Sequence, residues 1–197
     1  MARWPESKRC EAATRGTTVS QSENTAFLGL GANIGDRLAT LRAAVLALTE
    51  HAALSIDPTA DVASLYETEP VGGPSDQPVF LNSVVRVRTS LSPRQLLELA
   101  LSIEKGLGRV RGESCGPRTL DLDVLLFDDV VTEDGTLTLP HARMHERAFV
   151  LLPLSELAPD VRHPTLGLTV RELARRAALG GSVVLEPIHG PAWYPGM

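Results

Sequence analysis

The sequence predicts one α+β domain of the ferredoxin-like type, in which helices pack on an antiparallel sheet. The chain has 197 residues and 43% hydrophobic content, which suits a single globular domain with a sizeable core. Its predicted elements follow the order strand, helix, strand, strand, helix, strand, which is typical of that fold. No internal repeat or interior linker interrupts residues 25–187, so this range is predicted to be the domain.

The first strand and the first helix are predicted near the start of this range. Residues 26–31, Ala-Phe-Leu-Gly-Leu-Gly, form an apolar run that is typical of a buried strand. Gly35-Asp36 then begins a helix, because apolar residues recur after it at helical spacing: Leu38, Leu41, Val45 and Leu48. The glycines at 29, 31 and 35 depart from the dinucleotide-binding spacing GxGxxG and favour a tight turn with close strand–helix packing.

Two more strands and a second helix follow. Residues 62–67 and 79–89 are predicted to be strands, and the residues between them form a loop rich in Pro and Gly. Val alternates with Arg in the later strand, so one of its faces is expected to be in water. Ser92 and Gln95 form a capping box with Pro at the first helical position, and the apolar stripe that follows predicts a helix ending at 106–108.

The remaining elements are predicted from shorter signals. Residues 118–127 are predicted to be a strand, and Asp134-Gly135 is predicted to be a hairpin turn. A second capping box at Thr169–Glu172 begins a helix that Gly180-Gly181 ends. A last strand is predicted at 183–186.

Composition argues against several classes of function. The net charge of −5 argues against broad electrostatic binding to nucleic acid or to an anionic membrane. Cys10 and Cys115 form neither a CxxC pair nor a disulfide framework, so a reducing cytoplasm is the simplest setting. No apolar run reaches transmembrane length. Residues 1–24 lack the apolar core of a secretory signal and are expected to be a disordered extension, and residues 188–197 are expected to be a tail.

The strand at 118–127 carries two carboxylates near its start. Asp121 and Asp123 share a face, with Cα atoms about 6.6 Å apart, because strand residues alternate between faces. The opposite face is expected to be apolar and to consist of Leu120, Leu122, Val124 and Leu126. Two adjacent carboxylates resist burial unless a cation or hydrogen bonds compensate them. Mg²⁺ that also binds a phosphate ester is the cation that fits such oxygen ligands best.

Basic residues beside this strand point to a phosphate ligand. Arg109, Arg111 and Arg118 lie on or next to segments that contain glycine, and an arginine can bind phosphate oxygens with both arms of its guanidinium. One such arginine is most simply a solvated surface residue. Three of them next to a carboxylate pair favour a polyphosphate. Glu104, at the boundary of the apolar stripe of its helix, is expected to be either a surface residue or a hydrogen-bonding one.

A histidine pair near residue 141 admits a second interpretation. His141 and His145 have an i, i+4 spacing that is compatible with zinc. No adequate third ligand lies nearby in the sequence, whereas zinc sites use at least three protein ligands. Phosphate contacts by His141 and Arg147 are therefore the favoured interpretation.

A series of short motifs resembles one known family. The octet Gly116–Asp123, Gly-Pro-Arg-Thr-Leu-Asp-Leu-Asp, is similar to the hallmark of the 6-hydroxymethyl-7,8-dihydropterin pyrophosphokinases, which are kinases of the folate pathway. The resemblance covers roughly residues 25–178 and includes further motifs in the expected order: Gly31–Asp36, Tyr66–Pro70, Gln77–Asn82, Gly108–Arg111 and Pro140-His141.

The resemblance implies a reaction and a set of site residues. The reaction is transfer of the β,γ-pyrophosphoryl group of ATP to the hydroxymethyl oxygen of the pterin, with release of AMP. Two Mg²⁺ ions are expected on Asp121 and Asp123, which act in catalysis together with Arg109 and Arg118. The ATP side is expected to include Glu104, Arg111, Arg118, Thr138, His141 and Arg147. The pterin pocket is expected to include Thr68, Pro70, Val71, Phe80, Asn82 and Phe149.

Two departures and two alternatives accompany this prediction. Cys115 and Ala142 stand where the family often has an aromatic residue, which affects contacts on the ATP side. We expect a monomer that binds its small-molecule substrates and neither nucleic acid nor a membrane. One alternative is another Mg²⁺-dependent phosphotransferase or phosphohydrolase on the same carboxylates. The other is a ferredoxin-like RNA-binding module, which the acidic charge and the lack of an exposed aromatic strand disfavour.

Overall fold

The computed structural model describes residues 23–72, 74, 76–109, 116–179, 187–190 and 193–194. Its elements, in chain order, are β1 (Asn24–Ala32), α1 (Arg37–Thr49), β2 (Leu54–Ser55), β3 (Leu65–Thr68), β4 (Phe80–Thr89), α2 (Pro93–Gly106), β5 (Asp121–Phe127), β6 (Thr132–Glu133), β7 (Thr138–Leu139), a 3₁₀ helix (Met144–Glu146), α3 (Ala148–Leu157), α4 (Val170–Leu179) and β8 (Pro187–His189). No helix among these residues is long and apolar enough to cross a membrane.

The main sheet has the strand order β5-β1-β4-β3-β8, and β2 also pairs with β4. Every pairing in it is antiparallel. The first four of these strands, with α1 and α2 as crossovers, reproduce the strand–helix–strand, strand–helix–strand arrangement. The predicted ferredoxin-like α+β fold is therefore confirmed, and β6 and β7 add a separate hairpin around the predicted turn at Asp134-Gly135.

Each face of the sheet has its own apolar core. Side chains of β1 alternate between the faces, so Leu28 packs in the core that contains α1 and α2, whereas Phe27 packs in the core that contains α3 and α4. Gly29 and Gly31 share the face of Phe27 but have no side chain to fill it. An open cleft therefore remains on that face near the end of β1.

Local hydrogen bonds explain where the helices begin. The Asp36 carboxylate accepts from the Ala39 N–H at 3.0 Å at the start of α1. Ser92 and Gln95 form the predicted capping box at the start of α2. Thr169 and Glu172 exchange the equivalent hydrogen bonds at the start of α4. All three predicted helix starts are confirmed.

Several elements differ from the sequence prediction. The predicted strand at 62–67 is shorter, and Val62 makes only a single bridge to Val85 before β3 begins. Helix α3 was not predicted, because its residues are apolar on almost every side and Pro153 lies inside it, so no amphipathic period is visible. The predicted strand at 183–186 and the glycines at 180–181 lie outside the described residues.

A β-bulge in β5 corrects the predicted pattern of faces. The pairing of β1 with β5 shifts between Phe27 and Leu28, which leaves Leu125 as an extra residue in β5. Leu126 therefore packs with Leu125 in the core of α3 and α4, and not on the face predicted for it with Leu122. Asp121 and Asp123 precede the bulge, so they do share one face as predicted.

The described residues near the end of the chain pack against the domain. Strand β8 pairs with β3 at the sheet edge, although residues from 188 onward were predicted to be a tail. Trp193 is 4% exposed, and its Nε1–H donates to the Ala63 carbonyl at 2.7 Å. Arg42 on α1 donates from Nε to the Trp193 carbonyl at 2.9 Å. This described part of the C-terminal segment therefore contributes to the core next to α1.

We expect Trp193→Ala to lower the free energy of unfolding by about 3–5 kcal/mol, because it removes a large buried side chain. Denaturant unfolding followed by circular dichroism measures the change. Ile188→Ala in the same segment is the control, since Ile188 is 48% exposed and its loss is expected to cost about 0.5 kcal/mol or less. Equal effects of the two substitutions would show that the segment does not belong to the folded core.

His163 is a buried histidine whose titration we expect to make stability depend on pH. The ring is 4% exposed, Nδ1 lies 3.2 Å from the Thr165 hydroxyl, and Nε2 has no hydrogen-bond partner among the described residues. Burial, and to a smaller extent the neighbouring His145, lowers the pKa of His163 below its usual 6.5. Below that pH the unfolded chain binds this proton more readily than the folded one, so the free energy of unfolding falls as pH falls.

We therefore expect His163→Gln to flatten the loss of stability between about pH 7 and pH 5, because the titrating ring is gone. Urea unfolding at a series of pH values measures the slope. His189→Gln, at an exposed position on β8, is the control for the loss of one imidazole. An unchanged slope in His163→Gln would refute the assignment.

Candidate active site

The cleft on the α3 side of the sheet is lined by most of the predicted site residues. Its walls come from β1, β3 and the loop after it, β4, β5 and the start of α3. The residues predicted for the pterin pocket all line it: Thr68, Pro70, Val71, Phe80, Asn82 and Phe149. Four residues predicted for the phosphate or metal chemistry line it too: Arg118, Asp121, Asp123 and Arg147. The two predicted sets therefore meet in one cavity.

Strand register places the two halves of the cleft side by side. Gly31 on β1 is paired with Asn82 on β4 and with Asp121 on β5. An amide and a carboxylate thus flank a glycine across three neighbouring strands, with Cα atoms of the outer residues about 10 Å apart. A Cβ added at Gly31 would lie 3.1 Å from Asn82 Oδ1 and 3.8 Å from Asp121 Cβ. The absent side chain therefore leaves open the space between amide and carboxylate.

Two arginines hold Asp121. Arg109 Nη1 lies 2.6 Å from Asp121 Oδ1, and Arg118 Nη1 pairs with Asp121 Oδ2. Both guanidinium groups are partly buried, with about a quarter of each side chain exposed. Two guanidinium groups that can bind phosphate oxygens are therefore held beside the carboxylates at one end of the cleft.

Asp123 lies next to this pair and is more open. Its side chain is 40% exposed, and Oδ2 lies 3.8 Å from His141 Nε2. Surrounding atoms that displace water, and then the charge of Asp121, raise the pKa of Asp123 above its usual value. A carboxylate whose charge is disfavoured in this way gains from a bound cation.

The bulge in β5 places His141 beside Asp123. The bulged residue Leu125 accepts the backbone N–H of His141 at 2.9 Å, which ties the segment after β7 to the strand that carries the carboxylates. Burial is the main cause that lowers the pKa of His141, although Asp123 acts in the opposite direction. His141 and Thr138 line a second groove along the β6–β7 hairpin, and Ala142 lines it as well.

Glu104 lies behind the cleft and not in its lining. The side chain is 4% exposed, accepts from the Leu122 backbone N–H at 2.8 Å and pairs with Arg109. Burial raises the pKa of Glu104 even though these partners oppose the shift. Glu104 therefore holds Arg109 towards Asp121 from the α2 side. Arg111, another residue predicted for the ATP side, lies outside the described residues, as does Cys115.

Arg147 and Phe149 line the cleft from the start of α3. The Arg147 guanidinium carbon lies 5.7 Å from the centre of the Phe149 ring, a distance at which cation–π attraction is significant. Arg147 Nε is buried and has no hydrogen-bond partner among the described residues. Burial, and then the nearby Arg143, lowers the pKa of Arg147. An anionic ligand in the cleft would offset this cost.

The alternative interpretations of two motifs find no support in the geometry. Gly29 and Gly31 lie inside β1 and face the cleft, so they form neither a dinucleotide-binding turn nor the predicted tight turn, which Gly35 makes at a φ of 68°. His145 pairs with Glu146 at 3.6 Å and meets the edge of the His163 ring. Within the described ranges, no group of three or more His, Cys, Asp and Glu is placed to hold a metal.

A family model matches residues 27–159, and its description is 7,8-dihydro-6-hydroxymethylpterin-pyrophosphokinase. The chain belongs to this family. The pyrophosphokinase of Bacillus subtilis is 51% identical over 138 residues, which are 70% of this chain and 80% of that one. The pyrophosphokinase of Synechocystis is 38% identical over 187 residues, 89% of this chain and 93% of that one.

Solved structures show the same fold at lower identity. One Plasmodium falciparum HPPK-DHPS structure matches with a TM-score of 0.60 and 18% identity, and covers 78% of this chain. The match covers 43% of that longer protein. A second structure of the same protein, the A437G variant with pteroate, matches with a TM-score of 0.60 over 81% of this chain.

Sequence reasoning missed two residues and one contact that shape this pyrophosphokinase cleft. Gly31 leaves space between Asn82 and Asp121, and its motif suggested a turn instead. Asn82 Nδ2 donates to the Thr68 hydroxyl at 2.8 Å, a contact between β4 and β3 that no local pattern reveals. Asn33 is 1% exposed and bonds to the backbone on both sides of the cleft. A buried amide directly after a buried strand was the signal available for Asn33.

Proposed function

We propose that this cleft is where the chain transfers the pyrophosphoryl group of ATP to the hydroxymethyl oxygen of 6-hydroxymethyl-7,8-dihydropterin, giving AMP and the pterin diphosphate for folate biosynthesis. The observation that carries the proposal is the row Asn82, Gly31 and Asp121 across three strands. A pterin held at the amide would present its substituent towards the carboxylates through the space that Gly31 leaves. In this arrangement no protein side chain would separate the hydroxymethyl oxygen of the pterin from the phosphates of ATP.

The carboxylate pair fits magnesium. Asp121 and Asp123 supply oxygen ligands on one face of β5, and Mg²⁺ is commonly held by one or two carboxylates while substrate phosphates and water complete its shell. We propose that these two residues hold two ions. When bound there with ATP, Mg²⁺ would neutralise phosphate charge and align the attacking and leaving oxygens. Arg109 and Arg118 also compensate the charge of Asp121.

The basic residues would bind and stabilise the phosphates. Arg118 and Arg147 line the cleft, one before β5 and the other at the start of α3, and each guanidinium can donate two hydrogen bonds to phosphate oxygens. Arg109 is held by Glu104 and Asp121, so its guanidinium is oriented before ATP binds. Oriented donors cost no reorganisation when charge develops in the transition state. We assign His141, Thr138 and Arg111 to the nucleotide side with them.

The opposite end of the cleft suits a flat heterocycle with amide-like edges. The Thr68 hydroxyl accepts from Asn82 Nδ2 and thereby fixes the orientation of the amide. The Asn82 carbonyl oxygen then remains as an acceptor for the donor groups of a pterin. Phe80 and Phe149 supply aromatic surface for stacking, and Pro70 and Val71 supply apolar surface from the loop after β3. This enclosure also excludes water that would compete as acceptor.

The carboxylates and the proposed pterin wall line the same cleft within a single chain. We therefore propose that the enzyme acts as a monomer, with ATP and the pterin as its ligands. Sedimentation of the protein at several concentrations, alongside its activity per chain, measures this. Activity that falls on dilution together with the sedimentation coefficient would contradict it.

The reaction is tested by following AMP formation from Mg·ATP with and without 6-hydroxymethyl-7,8-dihydropterin. We expect AMP only when the pterin is present, with one pterin diphosphate formed for each AMP. ADP as the product would indicate a different phosphotransferase, and AMP formed equally without the pterin would indicate a phosphohydrolase. Either of these results would overturn the proposed function.

A further inference from the structure

We propose that Asn33 and Gln77, called here the amide pair, are positioning residues that join the arginine end of the cleft to its pterin wall. The inference rests on the proposed function, because it concerns the same site. Neither side chain touches the cleft, since neither is among the residues that line it. Both are buried, with 1% of Asn33 and 9% of Gln77 exposed.

Asn33 is bonded to the backbone of Arg118. Its N–H donates to the Arg118 carbonyl at 3.1 Å, and its side-chain Oδ1 accepts the Arg118 N–H at 2.6 Å. Asn33 directly follows β1, and Arg118 lies three residues before β5 begins. Two hydrogen bonds therefore fix the backbone of a phosphate-binding arginine that lies outside any regular strand.

The other end of the same amide is bonded to the segment that leads into β4. Asn33 Nδ2 donates to the Pro78 carbonyl at 3.1 Å and lies 3.5 Å from Gln77 Oε1. Two residues later Phe80 begins β4 and lines the cleft. One buried amide thus uses its oxygen for the arginine side and its nitrogen for the pterin side. Because the amide group is planar and rigid, a displacement that changes one of these contacts also changes the other.

Gln77 extends the connection to the loop after β3. Its Nε2 lies 3.3 Å from the carbonyl oxygens of both Gly72 and Pro74. Gly72 lines the cleft together with Pro70 and Val71, which form part of the proposed pterin wall. Gln77 therefore anchors that wall from behind, and Asn33 relates it to the position of Arg118.

The physical consequence is preorganisation of the two substrate halves. A loop bonded through side-chain amides loses less conformational entropy when a ligand orders it than an unanchored loop does. Reacting groups must also be held close to their productive geometry for efficient transfer. We therefore infer that the amide pair sets the distance between the pterin wall and the phosphate-binding arginine.

Isosteric substitutions can test the role of the amide nitrogen separately from that of the amide oxygen. Asn33→Asp keeps an oxygen that accepts from the Arg118 N–H, but replaces the donor to the Pro78 carbonyl with a second oxygen. Gln77→Glu keeps the oxygen that faces Asn33 and removes the donor to Gly72 and Pro74. We expect the KM for the pterin to rise at least about tenfold in both variants, because each variant loses at least one buried hydrogen bond. The KM for ATP is expected to stay within about twofold.

Asn33→Ala removes both the oxygen and the nitrogen of the amide. It is expected to lower kcat as well, because the Arg118 N–H loses its hydrogen-bond acceptor. The controls are Asn24→Asp at the opposite end of β1 and Gln95→Glu in the capping box of α2, where Glu also serves. Circular dichroism at the assay temperature shows whether each variant is folded. Gln77→Glu keeps the test valid if Asn33→Asp does not fold, because Gln77 lies at the end of the connection.

The outcomes distinguish this inference from the proposed function. Wild-type protein without pterin-dependent AMP formation would overturn the proposed function. An active wild type, together with Asn33→Asp and Gln77→Glu variants whose pterin KM is unchanged, would overturn the role of the amide pair alone. Equal increases of both KM values in folded variants would also overturn it, since a general structural role affects both substrates.

Discussion

Replacing Asp123 with Ala is expected to lower kcat at least about a thousandfold while the protein stays folded. A bound cation supplies several kcal/mol of transition-state stabilisation, and about 4 kcal/mol corresponds to this factor. The Asp123 side chain is 40% exposed and makes no short ion pair with the described residues, so among them its removal leaves no buried partner without a charge. Steady-state AMP formation at saturating Mg·ATP and pterin measures the loss.

Asp121→Ala is expected to lower kcat as strongly as Asp123→Ala does. It also leaves Arg109 and Arg118 without the carboxylate that both of them contact. Calorimetric titration with Mg²⁺ and a non-hydrolysable ATP analogue separates lost metal binding from a disturbed arginine cluster. Asp129→Ala is the control, since Asp129 is an exposed carboxylate just beyond the end of β5. Full activity in either Asp121→Ala or Asp123→Ala would refute the metal assignment.

Gly31→Val is expected to raise the KM for the pterin about a hundredfold, with little change in the KM for ATP. The added Cβ would lie 3.1 Å from Asn82 Oδ1, and its two methyl groups would enter the space between Asn82 and Asp121. Overpacking costs about 1–3 kcal/mol, and disturbing a buried hydrogen bond costs a similar amount, which together give about this factor. Valine is favoured in strands, so β1 is expected to tolerate it.

Steady-state kinetics with each substrate varied in turn measures the Gly31→Val effect. Gly106→Ala is the control, because a Cβ at Gly106 would meet nothing within 4 Å. If Gly31→Val left the pterin KM unchanged, or raised only the KM for ATP, the pterin would not occupy the space beside Gly31.

The main strands of the sheet and the helices α1, α2 and α4 were predictable because their information is local. The two capping boxes and the apolar stripe of α1 are patterns within a few residues, and the structure places helices there. The placement of Asp121 and Asp123 on the same face of β5 followed from strand alternation alone. These features depend on neighbouring residues and so can be read from one sequence.

Features that depend on contacts between distant residues were not predictable. The bulge at Leu125 arises from pairing with β1, and no residue in β5 marks it. Asn33 and Arg118 are 85 positions apart, and Trp193 reaches Ala63 across 130 positions. The role of Gly31 likewise becomes visible only when β4 and β5 lie on either side of it. Motif resemblance identified most of the cleft residues but not the groups that support them.

A crystal structure with Mn²⁺, a non-hydrolysable ATP analogue and the pterin would test the proposed site most directly. We expect anomalous scattering peaks in direct contact with the carboxylates of both Asp121 and Asp123, and the pterin ring between Phe80 and Phe149 with its hydroxymethyl group beside Gly31. Metal peaks away from these two carboxylates, or a pterin bound outside this cleft, would contradict the proposed arrangement.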